Sequence, residues 1–487
     1  MLIQRPFYFW VQRLLYLFSN TVLILLFLLL PFQKRFRAFL SGFSDQMIPD
    51  DLILPDFFYR HIEFFPGDLV IFVLVLLILL QAPKTLCSKL LTTPVRWFVL
   101  FCLTAFFSIT LSPTRYYLLQ YVRLLQFSMM ILLFCSIEYI VAQNKIRQLI
   151  KWIAWTVVIT IGVQCIIACM QYFFQSPLGL HKMGEPSLHW FSFPNPGKQR
   201  WIFDQFSHFQ LPLNVLYRAT GLFSHPNVFG GFLFFSLLNA SYLYAIYQEK
   251  WIKWVLTPVI FLHFLALSIS FCRAAMIACI IGGIIWTIIQ YFWMEDFSYR
   301  KEIKKIWLLF FISGVICVAL FHQQFFNRGG IINYNQVVQY ADEERIVYQE
   351  VALKMIKANP WLGIGFNNFQ ICNNPIQFGL FLCAKVHNIY LLIAVETGII
   401  GFIFFGAFLF SILKRAIQTP FSQEQALFLS ICIGFLWIGC CDYYFVEQMY
   451  GKILFFTSLA LLNAIAQKAS ILQPCHFKKR VFFQDHE

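Results

Sequence analysis

Long apolar runs, separated by short segments that carry charges or Pro, follow one another along the whole chain. A helix needs roughly 20 apolar residues to cross about 30 Å of hydrocarbon at about 1.5 Å per residue. The pattern therefore predicts an all-α polytopic membrane protein with about 12 transmembrane helices. The predicted spans are 14–32, 67–82, 97–111, 117–142, 152–174, 226–247, 254–272, 274–293, 306–322, 387–413, 426–441 and 450–467.

The composition supports a lipid environment. Hydrophobic residues make up 59% of the chain and charged residues 12%, whereas a soluble domain is about a quarter charged. So few polar side chains do not cover a water-facing surface, and lipid must solvate much of it. The same composition excludes a disordered chain, a collagen-like repeat and a small disulfide scaffold.

The basic residues predict the orientation. A cytoplasmic N-terminus places more than half of the 37 Lys and Arg residues in inside segments, as the positive-inside rule requires. Lys34, Arg35 and Arg37 are a local exception. Both termini are thus predicted to be cytoplasmic, and the first apolar run is a permanent span rather than a signal peptide. Topology explains the net charge of +14, so no nucleic-acid partner is expected.

Two long loops fall outside on this topology, and we expect the chemistry there because connections in compact proteins usually have about 4–6 residues. The predicted segments are 1–174 with helices 1 to 5, 175–225 as the first long external loop, 226–322 with helices 6 to 9, 323–386 as the large external loop, 387–467 with helices 10 to 12, and 468–487 as a cytoplasmic tail.

The large external loop contains the segment EERIVYQEVALKMIKANP, which predicts an amphipathic helix. Its apolar residues recur every four positions, and Asn359-Pro360 ends the element. Cys372 and Cys383 lie in the same loop. A disulfide and two free thiols are equally compatible with their positions.

Several familiar catalytic motifs are absent from the sequence. It contains no P-loop and no dinucleotide fingerprint, and it therefore shows no means of using ATP, a nucleotide sugar or a redox cofactor. It also lacks HExxH, paired CxxC motifs and carboxylates at a metal-ligand spacing. We expect neither a cofactor nor a bound metal.

Arg218 lies in RATGLFSHPNVFGG, directly before the sixth predicted span. An isolated Arg at this position reaches the lipid headgroups, which is one interpretation. The other is an anion site, because Gly221, His225 and Asn227 belong to a turn-rich approach to a helix N-terminus. Backbone N–H groups and the helix dipole favour anions at such a terminus.

Arg273 lies in SISFCRAAM, where the seventh and eighth predicted spans meet. It either sets the topology at a tight turn or provides a fixed cation that grips a diphosphate bidentately. Arg345, in the amphipathic helix, is either a solvated charge or a further phosphate ligand. Asp442 and Glu447 are interpreted as packing or gating charges.

His387 begins the tenth predicted span, next to Asn388. A single His at a helix start is often structural. Its ordinary pKa of about 6.5 also makes it the external residue best suited to remove a proton near neutral pH. Glu396 lies nine residues further along the same helix and on its opposite face, so we interpret it as a helix-packing residue.

In their order along the chain, four segments resemble the O-antigen ligase and O-antigen polymerase superfamily of bacterial membrane glycosyltransferases. The segments are RATGLFSHPNVFGG, SISFCRAAM, the run from Glu344 through NPWLGIGFNNF, and HNIYLLIAVETGIIG. The resemblance covers roughly residues 200–415. It implies a GT-C-type transferase of lipid-linked glycans in the bacterial cytoplasmic (inner) membrane, with its active site facing the periplasm.

The resemblance also implies the substrates and the residue roles. The donor is a glycan on undecaprenyl diphosphate, and the acceptor is a glycan, a lipid A core or a protein. Arg218 and Arg273 would hold the diphosphate, and His387 would be the general base for the acceptor hydroxyl. The substrate-binding candidates are Arg345, Asn227, His225 and Asn388.

The subtype and the class of protein have alternatives. Polymerases of this group often have a Gly eleven residues after each loop Arg, whereas this chain has Phe229 and Ile356 there, which favours a ligase. A protein O-oligosaccharyltransferase resembles both. Twelve spans also fit a transporter or flippase, although transporters usually place their sites near the bilayer midplane between related halves. A scaffold within a polysaccharide complex is the non-enzymatic alternative.

Overall fold

A computed structural model gives the fold of the 487-residue chain. The residues it describes are 4–31, 36–39, 61–112, 117–186, 192–194, 200–201, 212–213, 215–294, 298–328, 336–372 and 385–472. Cys383, one of the two candidates for a disulfide, lies outside these residues.

Sixteen α-helices occur in the described residues. The first six are α1 (Gln4–Leu29), α2 (Pro66–Gln81), α3 (Pro83–Lys89), α4 (Thr93–Thr110), α5 (Tyr117–Gln143) and α6 (Ile146–Phe174). The others are α7 (Pro226–Ile246), α8 (Lys250–Ser270), α9 (Arg273–Phe292), α10 (Ser298–Arg328), α11 (Gln336–Ala358), α12 (Phe369–Cys372), α13 (Ile389–Gln418), α14 (Gln423–Cys441), α15 (Tyr444–Glu447) and α16 (Met449–Leu472).

Short strands form three antiparallel pairs in the loops that the structure describes. The paired strands are β1 (Phe36–Phe39) with β2 (His61–Phe64), β3 (Ser192–Pro194) with β6 (Val215–Tyr217), and β4 (Arg200–Trp201) with β5 (Pro212–Leu213). A 3-10 turn, His181–Met183, follows α6. These pieces have two to four residues each, so the architecture is helical.

Among the described residues, 11 helices are long and apolar enough to cross a membrane. The helices α2 and α3 form a pair bent by 115°, and this pair brings the number to 12 if it is one span. Pro83 begins α3, and Pro is tolerated in a first helical turn but not in a helix interior. The predicted polytopic all-α fold is confirmed.

Several helices are longer than predicted, among them α10 and α11. The helix α10 covers more than the predicted span 306–322 and has non-helical dihedral angles at Phe321. The amphipathic helix was expected to begin near Glu343, but α11 begins at Gln336, so Arg345 lies within it rather than at its start. The segment between these two positions contains no Pro or Gly that would end a helix.

The helices α7 and α16 form the centre of the bundle. All of the apolar window of α16 is buried, whereas only 28% of the window of α1 is buried. Large apolar side chains such as Phe18 and Phe311 lie on the outer surface, as expected for helices that face lipid. Phe98 stacks on Phe408 and on Phe456 in the core, with ring centroids 4.9 Å apart in each pair.

The helix α13 is broken at Gly398, which has φ 67° and ψ −174°. The turn after α11 pairs with this break: the N–H of Ile364 donates to Val395 O at 2.9 Å, and the N–H of Ile399 donates to Pro360 O at 2.8 Å. A side chain at Gly398 would collide with the carbonyl group of Trp361. The broken helix and the turn therefore form one unit, which fixes the first turns of α13.

We expect the substitution Gly398→Ala to destabilise the protein by about 2 kcal/mol or more, because the backbone conformation is nearly exclusive to Gly and the new methyl group meets a carbonyl. Thermal unfolding in detergent measures the effect. Gly406→Ala is the matched control, since Gly406 lies in the same helix with open space around it. Equal melting temperatures for the two variants would contradict this explanation of the break.

Candidate functional site

Four helix termini and the helix α11 meet at one end of the bundle around a cavity of about 310 Å³. The termini are the start of α7, the end of α8, the start of α9 and the end of α14. The lining residues are Asn227, Phe271, Cys272, Arg273, Ala274, Ile277, Arg345, Ile438, Cys441, Asp442 and Tyr444. The cavity thus combines an apolar wall with three charged side chains.

The start of α7 is fixed by a local cap. Pro226 occupies the first turn, and His225 is the N-cap residue. Its Nδ1 accepts a hydrogen bond from the backbone N–H of Asn227 at 3.0 Å. The cap satisfies one of the free N–H groups of the helix start. His225, predicted to bind substrate, therefore uses one ring nitrogen to hold Asn227 in place.

Arg218 reaches the cavity through Asn227. Its Nη2 donates to Asn227 Oδ1 at 3.0 Å, and its Nε donates to the carbonyl of Ser270 at 2.9 Å. Asn227 Nδ2 in turn donates to Asp442 Oδ2 at 2.8 Å. The guanidinium is buried at the C-terminal end of α8, where the helix dipole favours a cation. Arg218, Asn227 and Asp442 thus form one chain of hydrogen bonds across three helix termini.

Arg273 and Arg345 both line the cavity, and Asp442 is the carboxylate among its lining residues. Arg273 is exposed, whereas Arg345 is half-buried. A guanidinium presents a planar fork of donors that matches phosphate and carboxylate groups. The two cations outnumber the carboxylate, so the cavity is suited to an anionic ligand such as a phosphate or diphosphate.

His387 lies beside this cavity, within electrostatic reach of both Asp442 and Arg345. Its Nδ1 is buried and has no hydrogen-bond partner among the described residues. Its ring packs edge-on against Tyr443, with centroids 5.2 Å apart. Burial lowers the pKa of His387, and Arg345 lowers it further, while Asp442 opposes the shift. The neutral imidazole, which accepts a proton, is therefore favoured near pH 7.

Asn388 is the N-cap of α13. Its Oδ1 accepts from the backbone N–H groups of Tyr390 and Leu391 at 2.9 and 3.0 Å. Its Nδ2 donates to the carbonyl of Cys440 at 3.2 Å. The side chain thus ties the start of α13 to the end of α14. This geometry places His387 between two fixed helix termini.

The structure brings together most of the residues that the sequence singled out. Asn227, Arg273 and Arg345 line the cavity, Arg218 contacts it through Asn227, and His387 lies at its side. The catalytic and binding roles assigned to these residues remain predictions.

Sequence reasoning did not assign Asp442 or Tyr444 to the site. Asp442 was interpreted as a packing or gating charge, yet it lines the cavity and accepts from Asn227 and from the N–H of Tyr443. Tyr444 also lines it, and its buried hydroxyl has no hydrogen-bond partner among the described residues. The available signal was a carboxylate directly after an apolar span, at the same predicted membrane face as the Arg residues.

Within the described ranges, no group of three or more His, Cys, Asp or Glu side chains is arranged to hold a metal ion. The cavity lining contains one carboxylate and two Cys side chains, next to two guanidinium groups. Such a set of side chains suits an anion better than a cation.

Comparison with known proteins gives one family. Residues 258–406 match the family model described as O-antigen ligase. The predicted relation to the O-antigen ligase superfamily is thereby confirmed for the part of the chain that contains Arg273, Arg345 and His387. Arg218, Asn227 and Asp442 lie outside the matched range. A comparison with curated proteins found no match.

We expect inorganic pyrophosphate to bind the cavity and to raise the melting temperature of the native chain. A ligand at tenfold its Kd stabilises a protein by about 1.4 kcal/mol. Arg273→Gln and Arg345→Gln should each remove most of this stabilisation, because each deletes a cation from the cavity lining. Thermal unfolding with and without pyrophosphate makes the measurement.

Arg300→Gln is the control for this prediction. Arg300 Nη2 donates to the carbonyl of Tyr291 at 2.7 Å, near the opposite end of α9 from Arg273. Its loss should leave the pyrophosphate effect unchanged. An equal loss of the effect in all three variants would indicate non-specific charge binding instead of a site.

Proposed function

We propose that this chain, whose residues 258–406 match the O-antigen ligase family model, is a membrane glycosyltransferase that moves a preassembled glycan from undecaprenyl diphosphate to an acceptor hydroxyl. The observation that carries the proposal is the cavity itself. Two guanidinium groups line it, and a His with a lowered pKa lies beside them. This combination supplies both a diphosphate clamp and a proton acceptor, which are the two groups that such a transfer requires.

The proposed reaction uses the diphosphate clamp and the proton acceptor together. The acceptor hydroxyl oxygen attacks the anomeric carbon of the donor glycan, and His387 accepts the hydroxyl proton. The bond between that carbon and the diphosphate oxygen breaks, and the lipid diphosphate leaves with the bonding electrons. A single displacement of this kind inverts the anomeric centre. Arg273 and Arg345 stabilise the negative charge that develops on the leaving diphosphate.

Asp442, in the cavity lining, and Arg218, behind it, support this step. The Asp442 carboxylate favours the protonated form of His387, so it stabilises the imidazolium that proton transfer creates. Arg218 holds the amide of Asn227, and Asn227 holds Asp442. We assign Arg218 a supporting electrostatic role and the direct diphosphate contacts to Arg273 and Arg345.

The proposed location is the bacterial cytoplasmic membrane, with both termini in the cytoplasm and the cavity facing the periplasm. The bias of Lys and Arg toward the predicted inside loops supports this orientation. A lipid-linked donor suits the site, because the diphosphate headgroup would lie at the membrane surface while the polyprenyl chain stays in lipid.

We propose a ligase that acts in lipopolysaccharide or surface-polysaccharide synthesis. The residues eleven positions after Arg218 and Arg345 are Phe229 and Ile356, whereas polymerases of the group often have Gly at both positions. Supplying either a core glycan or a second lipid-linked glycan as the acceptor separates ligase from polymerase activity.

We expect reconstituted native protein to release the glycan from a lipid-diphosphate donor and to transfer it to an acceptor without an added nucleotide. His387→Ala, Arg273→Ala and Arg218→Ala should each lower the rate by about a hundredfold or more, because each removes the base or part of the charge stabilisation. Rates are compared at matched amounts of folded protein.

Asn463→Ala is the control for these variants. Asn463 Oδ1 accepts from Arg415 Nη1 at 2.8 Å, and its amide donates to Glu138, away from the cavity. This variant should be destabilised yet retain the native rate per folded molecule. If the native chain transfers no glycan and the three site variants still support normal surface glycan in cells, the transporter or scaffold interpretation replaces the enzyme.

The pH dependence of kcat/KM tests the role of His387. Because its pKa is lowered, the acid limb should have its midpoint below about 6.5, and activity should rise as pH rises through that midpoint. Arg345→Gln removes a charge that lowers the pKa of His387, so the limb should move to higher pH. Arg300→Gln should leave it in place. A limb that is unmoved in Arg345→Gln would contradict the effect of Arg345 on the pKa of His387.

A further inference from the structure

Two contacts join the segment before α13 to a second segment, the end of α14 and the short helix α15 that follows it. Lys385 Nζ pairs with Glu447 Oε1 at 2.7 Å, and Asn388 Nδ2 donates to Cys440 O at 3.2 Å. His387 lies between Lys385 and Asn388 in the first segment. Asp442 lies between Cys440 and Glu447 in the second. The two contacts therefore bracket the His and the carboxylate that acts on it.

Lys385 is a buried charge with several partners. Only 2% of its side chain is exposed. Besides Glu447, its Nζ donates to Asn367 Oδ1 at 2.6 Å and lies 3.7 Å from Glu396 Oε1. The ammonium thus connects the turn before α12, the body of α13 and the short helix α15. A buried ion pair is weak evidence for stability, because apolar replacements of similar volume are often as stable. Its value lies in fixing the relative position of the elements it joins.

The position of the His387 ring depends on the elements that hold the backbone of its segment in place. Its Nδ1 has no hydrogen-bond partner among the described residues, and its ring packs edge-on against Tyr443. A general base must lie within hydrogen-bond reach of the proton that it removes. The position of the imidazole is therefore set by the backbone of residues 385–388, and Lys385 anchors one end of that segment.

We propose that Lys385, through its ion pair with Glu447, is a positioning residue that holds His387 in register with Asp442 for the transfer reaction. The inference rests on the function proposed above. It assigns Lys385 no contact with substrate. Loss of the pair should lower kcat, because the base is displaced from the acceptor, and leave donor binding nearly unchanged, because Arg273 and Arg345 belong to other elements.

The test is the double variant Lys385→Met/Glu447→Gln. Lys385→Met alone would leave Glu447 without its closest cation and disturb folding. The double variant keeps the total charge unchanged and removes the Lys385–Glu447 pair, together with the contacts of the ammonium with Asn367 and Glu396. We expect kcat to fall about 10- to 100-fold with the donor KM within about threefold of native. Steady-state kinetics at matched amounts of folded protein measure both constants.

Lys89→Met/Glu138→Gln is the matched control. Lys89 and Glu138 form a second ion pair, with Nζ and Oε2 3.6 Å apart, in which Glu138 is fully buried and Lys89 is half-buried. The pair joins the end of α3 to α5, and neither residue lines the cavity. Its removal should lower the melting temperature by a comparable amount and leave kcat at the native value.

Glu447→Gln alone provides a second measurement if the double variant does not fold. It leaves Lys385 next to Glu396 and Asn367, so the ammonium stays compensated. We expect a fall in kcat of at least about threefold. A native kcat in whichever of these variants folds, or an equal loss of kcat in the control, would overturn the positioning role. A native chain that transfers no glycan would instead overturn the proposed function, and the positioning role with it.

Discussion

A charge inside a membrane protein must find its partners within the chain, because lipid offers none. The end of the bundle that holds the cavity follows this constraint. Arg218 is buried against the carbonyl of Ser270 and the amide of Asn227, and Asn227 is bound in turn to Asp442. The partners come from the starts and ends of different helices. Each pairing that makes a charge tolerable therefore also fixes one helix terminus against another.

The same constraint applies to the backbone polar groups of the broken helix α13. At Gly398 the helical hydrogen-bond pattern is interrupted, and the turn after α11 supplies partners for the freed groups. Ser108 of α4 donates a hydrogen bond of 2.5 Å to the carbonyl of Leu362 in that turn. Non-helical backbone at membrane depth is tolerated where protein buries it. The break thus places the first turns of α13, and with them His387, under the control of α4 and the turn.

Hydropathy predicted the spans well because burial in lipid is a property of each segment by itself. The two helices that meet at Arg273 are separate, as the sequence suggested, with Phe271 in a left-handed conformation between them. The break at Gly398 could not be predicted from hydropathy, because the segment GIIGFIFF continues the apolar run without a polar residue. Its cause is a turn some forty positions earlier in the chain, and no local pattern reports such a contact.

The sequence predicted which residue types belong to the candidate site, but it did not predict their hydrogen-bond partners. Arg and His attract notice in an apolar sequence wherever they stand. The role of Asp442 depends on Asn227, which is 215 positions away in the chain. His225 and Asn388 cap their helices through local contacts. The contact between Asn388 and Cys440, in contrast, requires the neighbouring helix to be in place. Long-range pairing decides which polar residues face the cavity and which hold its walls.

A second cluster in the same bundle shows why residue types alone do not identify the site. Arg415, Asn463 and Glu138 repeat the order of guanidinium, amide and carboxylate found in Arg218, Asn227 and Asp442. Both clusters satisfy buried charges, yet only the latter borders the cavity with two further cations. The shared arrangement satisfies the hydrogen bonds of buried charges and does not by itself indicate a site. A reaction requires, in addition, space for a ligand and a neutral His beside it.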